Sequence, residues 1–407
     1  MPLVHKIIPL GIKMRRTEMK KSVIIAVVFA IFLCLDQSAF AGGLSRVAAT
    51  GTTDIGLGSD PSGMWFPHNL GSKLQLNGKR LVEVGTEVMV PKFTYEDKRG
   101  KKFTSKNMAH VLPAVSYAER IDESTVWGVD IHTNYGLGAS FKNIWYGMDS
   151  QTLVSGTYIK PFISKQLTDR LSIGAGPVIA MGMMTWVGPF DVSRIPLPVR
   201  VNLKALGFGY GWQAGAMYQA TDKLAFGVNY LSPVTVRLEG RCTAGLLGLK
   251  IRDGIDLKFK FPEKVDFSVG YQPREDWLLV GQVTYFGYSR NSLNRAMVNF
   301  DKLPITKAVN MNWQDNIAIH LGASHKFSDK LTAGGGVTYM SKAITKTADY
   351  MTPDVDGWAL GGRIKYSPTK HFSLIASTSY GWGSNEVSGR KMSTEILTFG
   401  LSGSWRF

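Results

Sequence analysis

Residues 206–218 read LGFGYGWQAGAMY. Leu206, Phe208, Tyr210, Trp212, Ala214, Ala216 and Tyr218 share one parity, while Gly207, Gly209, Gly211, Gln213, Gly215 and Met217 share the other. Successive side chains of an extended chain point to opposite faces. This is therefore a strand with one apolar, aromatic face and one face of small or polar groups. The alternation returns in residues 331–339 and 372–382, and in the final Leu397, Phe399, Leu401, Gly403, Trp405 and Phe407. Strands of soluble sandwiches run about five to six residues, whereas these approach ten, the length needed to cross a bilayer. Residues 171–190 carry no charge, but Gly174, Gly176, Pro177, Gly182 and Gly188 oppose a helix. They read as a strand followed by an extracellular bend.

Polar turns punctuate these runs, beginning near Ser116, Gln166, Tyr218, Tyr271, His325 and Tyr366. Asp169, Asp222, Asp276 and Asp329 follow one another at 53, 54 and 53 residues. Each unit thus holds two long strands, one tight turn and one longer loop. Six tight turns join twelve strands. One more precedes them at about residues 80–92, and one follows at 393–407. The reading is an all-β fold, a 14-stranded antiparallel transmembrane β-barrel. Its short turns face the periplasm, and closure leaves no strand edge unpaired in lipid.

Composition fits such a wall. Only 19% of the 407 residues are charged, against about 25% in soluble domains. An excess of 47 Lys+Arg over 31 Asp+Glu raises nucleic acid as a partner. The start of the chain argues against it. Lys20 and Lys21, the apolar run from Val23 to Leu35, and Ala39-Phe40-Ala41 form a secretory signal peptide over residues 19–41. The expected location is the bacterial outer membrane, with insertion by the barrel-assembly machinery and a monomeric state. Lys98, Arg99, Lys101, Lys102 and Lys106 crowd the first extracellular loop, where the expected partner is anionic lipopolysaccharide rather than nucleic acid. Cys34 leaves with the leader, and Cys242 then has no intramolecular disulfide partner, which makes it a small apolar filler. No cofactor or metal is implied. No enzyme is expected either: G-x-S-x-G and H-E-x-x-H are absent, and His320 and Ser324 stand about 13 Å apart along one strand face.

Three regions follow: a leader over 1–41, a Gly-rich segment over 42–79, and the barrel over 80–407. The middle segment is either a periplasmic linker or a plug filling the lumen, since fourteen strands enclose a wide interior. Five stretches stand in order along the chain: Gly42-Gly43-Leu44, DPSGMWFPHNLG from Asp60, WGVDIHTNYGLG from Trp127, the block from Tyr218, and NWQDNIAIHLGASHKFSDKLT from Asn312. In that order they resemble the FadL/TodX family of outer-membrane transporters for long-chain fatty acids and hydrocarbons. The resemblance implies an N-terminal hatch over 42–79 and passive transport of a hydrophobic small molecule. It also implies capture in an extracellular groove, an inner pocket near Leu44, Trp65, Phe66 and His68, and lateral release at a kinked third strand. That strand holds Trp127, Asn134, Tyr135, Gly136 and Gly138. Leu44 stands where the family usually has Phe, and Pro67-His68-Asn69 where it commonly has Asn-Pro-Ala.

Strand parity adds an expectation of its own. It aims Arg237, Lys258, Lys260, Arg363 and Lys365 into the lumen, with Asp130, His132 and His320. Such cations could meet a carboxylate or simply be solvated. Leu246, Leu247 and Leu249 form an apolar patch in an expected extracellular loop, suited to ligand capture or to packing over the barrel mouth. A general or aromatic-selective porin, a barrel lipase or protease, and a structural surface barrel are the competing readings. The ligand stays open among fatty acids, alkanes and monoaromatics.

Overall fold

The computed structural model describes residues 64–407 except 146, 191–198, 247–248, 291–295, 301–305, 310–312 and 347–349. The leader, Leu44, Leu247 and most of the Gly-rich segment lie outside the described residues.

The wall is a closed antiparallel barrel of fourteen strands. They are β1 (Arg80–Glu96), β2 (His110–Asp122), β3 (Thr125–Trp145), β4 (Met148–Gln166), β5 (Leu171–Phe190) and β6 (Val199–Thr221). Next come β7 (Leu224–Leu231 with Val234–Leu246) and β8 (Leu249–Phe261 with Lys264–Arg274), each in two pieces. The circuit ends with β9 (Trp277–Phe286), β10 (Asn316–Lys326), β11 (Leu331–Met340), β12 (Asp356–Thr369), β13 (Phe372–Val387) and β14 (Arg390–Arg406). β1 closes on β14 from Leu81↔Arg406 to Glu96↔Lys391, so the first and last strands leave no edge between them. The six tight turns, the count and the third-strand assignment match the sequence reading. The bend expected within residues 171–190 does not: all of Leu171–Phe190 is strand, paired with β6 through to Phe190↔Val199.

The outer surface explains the alternation. Phe208, Trp212, Phe226, Phe267, Leu321, Leu360 and Leu401 are all more than 40% exposed. Each would gain about 1.5–3 kcal/mol on leaving water, and the bilayer is where that gain is made. Aromatic pairs rim the apolar band. Tyr117–Trp127 and Phe372–Trp405 lie beside the short turns, and Trp212–Tyr230, Tyr339–Trp358 and Tyr380–Trp382 lie toward the other end.

The parity reading fails on β7 and β8. Gln213↔Leu231 and Tyr210↔Thr235 pair four residues of β7's advance with three of β6's, an extra residue at Ser232-Pro233. One extra residue moves every later side chain to the other face. Beyond it Val236, Leu238, Leu257 and Phe259 are buried inside, while Arg237 and Lys258 are exposed outside and Lys260 lies half-buried in the same outward row. Arg237, Lys258 and Lys260 therefore do not line the lumen. Leu246 pairs with Leu249 at the tip of the β7–β8 hairpin rather than in an open loop, and their side chains lie outside the described residues.

Candidate functional site: a seated N-terminal segment and a gap in the wall

Residues 64–76 are built against the inner wall. Trp65 and Phe66 are 5% and 4% exposed, and a single 3-10 turn, Gly71–Gln75, follows them. Small residues make the seat. Inward Gly174, Gly215, Gly227 and Gly270 sit on β5, β6, β7 and β8. A Cβ on each would strike Leu70, Leu70, Asn69 with Phe66, and Trp65 with Phe66 respectively. Polar contacts fix the segment's height. Asn69 Nδ2 donates to the carbonyls of Ala216 (3.0 Å) and Val228 (2.9 Å). Ser164 and Ser172 hydroxyls donate to the carbonyls of Leu70 (2.7 Å) and Gly71 (2.9 Å), and the Arg120 guanidinium to those of Leu74 and Leu76.

One ion pair ties this segment to β3. Lys73 Nζ lies 3.1 Å from Asp130, and both side chains are 8% exposed. Removing one partner takes the nearest counter-charge from the other in a largely buried site, at a cost of up to roughly 3–5 kcal/mol. Lys73→Met is accordingly expected to loosen residues 64–76, read as faster amide exchange there. Adding Asp130→Leu should recover most of the protection.

His68 faces a cavity of 220 Å³ that Glu87, Asp130, His132, Arg363 and Lys365 also line. The His68 and His132 rings are 5.9 Å apart, and the Lys160 ammonium sits 3.0 Å from His132 Nε2. Arg363, Lys365, Asp130, His132 and His320 thus face inward as their parity requires. His320 stands apart from the cavity, hydrogen-bonded to Thr338.

The third strand carries a break on each side. Toward β4, Thr133↔Thr157 is followed by Tyr135↔Gly156, which leaves Asn134 as an unpaired extra residue. Toward β2, pairing ends at Ala114↔His132. It resumes only at the Lys106 N–H to Ser140 carbonyl bond and the Ser105↔Phe141 bridge. On the β2 side Pro113 has no N–H to offer. Residues 133–139 therefore border a gap in the wall. Lipid-exposed backbone without partners is not tolerated in hydrocarbon, so such a gap calls for a covering or a use. Asn134 Oδ1 is buried with no hydrogen-bond partner among the described residues. Trp127, lower on the strand, is exposed on the outer surface.

Beside the gap, inside, is an aromatic cluster. Tyr135 stacks on Phe261 at 5.3 Å, Tyr158 meets both rings, and the Tyr135 hydroxyl donates to the Pro262 carbonyl at 2.9 Å. Residues 152–158 of β4 are buried without interruption, on both faces of the strand. Gly136 and Gly138 are buried as well. Parity along one strand does not show Tyr158, Phe261, Asn69 or Lys73 as partners here. The row of inward glycines was the available signal.

Above the barrel, Asp354 anchors the connection between β11 and β12. Its Oδ2 accepts the N–H groups of Ala343 (2.6 Å) and Ile344 (2.7 Å), while Lys342 pairs with Asp356. Burial dominates and pushes the Asp354 carboxyl up to about 7. Folding then favours the protonated form. This group's contribution is full below the unfolded value near 4 and is lost as pH rises toward 7. Amides of Ala343 and Ile344, corrected for intrinsic rate, should exchange faster at pH 8 than at pH 5. Asp354→Asn should remove that difference.

Comparison with known proteins places this geometry. The family model described as outer membrane protein transport protein (OMPP1/FadL/TodX) matches residues 75–404. Outer membrane protein P1 of Haemophilus influenzae is 22% identical over 297 residues, 65% of this chain and 64% of that protein. The chain thus spans a little under two thirds of that relative. A long-chain fatty acid transport protein of Escherichia coli O6:H1 is 22% identical over 328 residues, covering 70% of this chain and 73% of its own length. Among solved structures, a Pseudomonas aeruginosa FadL homologue superposes with a TM-score of 0.73 at 16% identity, over 91% of this chain and 98% of its own. The Pseudomonas putida toluene transporter TodX does so with a TM-score of 0.73 at 16% identity, over 90% and 99%.

Proposed function

Since this chain belongs to the OMPP1/FadL/TodX family of outer-membrane transport proteins, we propose that it moves a hydrophobic small molecule passively from the cell exterior into the membrane through the gap beside β3. The observation that carries this reading is the loss of β2–β3 pairing over residues 133–139, next to a buried aromatic cluster. A ligand leaving there would pass from an apolar chamber straight into lipid without crossing water. Burying about 300 Å² of ligand contributes roughly 7 kcal/mol, enough to draw it out of a polar saccharide layer. Residues 64–76 act as the described part of the hatch, and Trp65, Phe66, His68 and Arg363 border the inner site. Capture begins above the barrel, where the β7–β8 hairpin tip carries Leu246 and Leu249. The protein works as a monomer inserted by the barrel-assembly machinery, in contact with lipopolysaccharide.

Two ligand classes separate on charge. Arg363 and Lys365 face the cavity beside His68, so an anionic head group has cations to meet. Uptake of labelled oleate and toluene is measured in cells with and without the protein. Enhanced uptake of either supports transport, and equal uptake of both in the two strains overturns it. Arg363→Gln should weaken oleate uptake several-fold and leave toluene unchanged if the physiological ligand is a carboxylate. Large, unselective ion conductance of the intact protein would favour a porin.

A further inference from the structure

The reversal of phase on β7 and β8 leaves an outward face that transport does not use. Above the Tyr210–Thr235–Lys260 row, outward positions run in cross-strand rows over β6, β7 and β8. They are Phe208–Arg237–Lys258, Leu206–Glu239–Asp256, Lys204–Arg241–Gly254, Asn202–Thr243–Arg252 and Arg200–Gly245–Lys250. Seven of these outward side chains are cationic and two are acidic. Arg237 occupies both acids, reaching Asp256 at 2.7 Å and Glu239 at 3.2 Å. Among the described residues no carboxylate pairs with Arg200, Lys204, Arg241, Lys250, Arg252 or Lys258.

This arrangement is costly for a bare protein surface. Lys204 stands directly across from Arg241, and Arg237 across from Lys258; like charges opposite one another destabilise a sheet. A counter-charge removes that cost. The patch begins one row above Tyr210, which is 76% exposed at the rim of the lipid-facing band. Its lowest cations, Arg237 and Lys258, therefore sit at head-group height, above the apolar chains, and the rest follow outward along the strands. Apolar Phe208 and Leu206 share the lowest rows, so an occupant must present acyl chain below and anionic charge above. Guanidinium and ammonium groups on adjacent strands suit the oxygens of a phosphate.

We propose that the outer face of β6–β8 above Tyr210 is a binding site for the phosphorylated head group of an outer-leaflet glycolipid. The site rests on the barrel's outer-membrane location and not on the transport reading. It stands well round the wall from the basic first loop, whose Lys102 and Lys106 have carboxylate partners in Glu96 and Asp149.

The test uses the full-length protein in detergent and lipid A carrying two phosphates, against its dephosphorylated form and inorganic phosphate. Lys204→Gln/Arg241→Gln/Arg252→Gln/Lys258→Gln should weaken binding of the phosphorylated lipid at least about tenfold. The substitutions lie on an exposed outer face, and heat-modifiable gel mobility checks that the barrel forms. Lys204→Gln/Arg241→Gln is a milder version that still removes one row. Neutralising Lys98, Arg99, Lys101 and Lys102 instead should change affinity less than about twofold. The proposal fails if the patch variants bind like the parent, if both sets lose affinity equally, or if the dephosphorylated lipid binds as well. It fails too if inorganic phosphate alone competes fully, since the acyl part would then contribute nothing. Oleate and toluene uptake by the patch variants should stay at the parent level, so failure of transport and failure of this site are read separately.

Discussion

Deletion of Asn134 is expected to lower uptake of the apolar ligand at least about tenfold while the barrel still folds. The physical basis is one residue of register. With Asn134 present, β3 advances one residue more than β4 between Thr133↔Thr157 and Tyr135↔Gly156, and the strand is bent at that point. Inward His132 and inward Tyr135 then differ by three positions, an odd spacing that only an inserted residue allows. Removing Asn134 restores plain alternation and a continuous ladder to β4. Straightened, β3 lies against β2 beyond Ala114↔His132 and fills the gap with new backbone bonds. Each contributes about 1 kcal/mol, so two or three together exceed the roughly 1.4 kcal/mol that corresponds to a factor of ten. Pro113 withholds one donor, which limits the gain without cancelling it. Labelled-ligand uptake and single-channel recording check the outcome. Uptake unchanged in a correctly folded deletion variant would show that the ligand leaves elsewhere.

The barrel was legible because lipid imposes a two-residue period over long strands, and turns recur at a spacing near 53 residues. Strand number, closure, and the facing of Arg363, Lys365, Asp130, His132 and His320 all follow from that period. Arg237, Lys258 and Lys260 were misplaced because the rule that apolar side chains face outward holds only while lipid is outside. Past Ser232-Pro233 on β7 and Pro262-Glu263 on β8 the outside passes from hydrocarbon to head groups and water, so on these two strands the apolar face turns in and the charged face out. The two prolines mark the phase change, as prolines inside long strands commonly do. The site was less legible for another reason. Asn69, Lys73 and Tyr158 gain their roles from partners 57 to 159 residues away, or from neighbouring strands, and parity along one strand carries no such information.

The seat of the N-terminal segment gives the second large effect: Gly215→Val is expected to unseat residues 64–76 and to raise the ion conductance of the barrel. A Cβ at Gly215 would come within 3.1 Å of the Leu70 amide nitrogen and 2.7 Å of Asn229 Oδ1. The first is backbone, fixed on either side by the Asn69 side-chain bonds and the Leu70 carbonyl bond to Ser164, so it cannot step aside alone. Valine adds two further carbons in the same direction. The segment must lift, which exposes Leu70 and Phe66, now 1% and 4% exposed. Each loses about 1.5–3 kcal/mol of apolar burial, and the polar bonds to the wall go with them. The barrel itself has no reason to fail, because Gly215 points inward and its ladder to β5 and β7 uses backbone atoms only. Gly281→Val is the matched control: a Cβ there meets only the flexible end of Leu321, at 3.6 Å. Planar-bilayer conductance should rise severalfold or more for Gly215→Val and stay at the parent level for Gly281→Val. Amides of residues 64–76 should lose protection in the first variant alone. A folded Gly215→Val protein with parental conductance and protection would mean that these residues neither depend on the glycine row nor block the lumen.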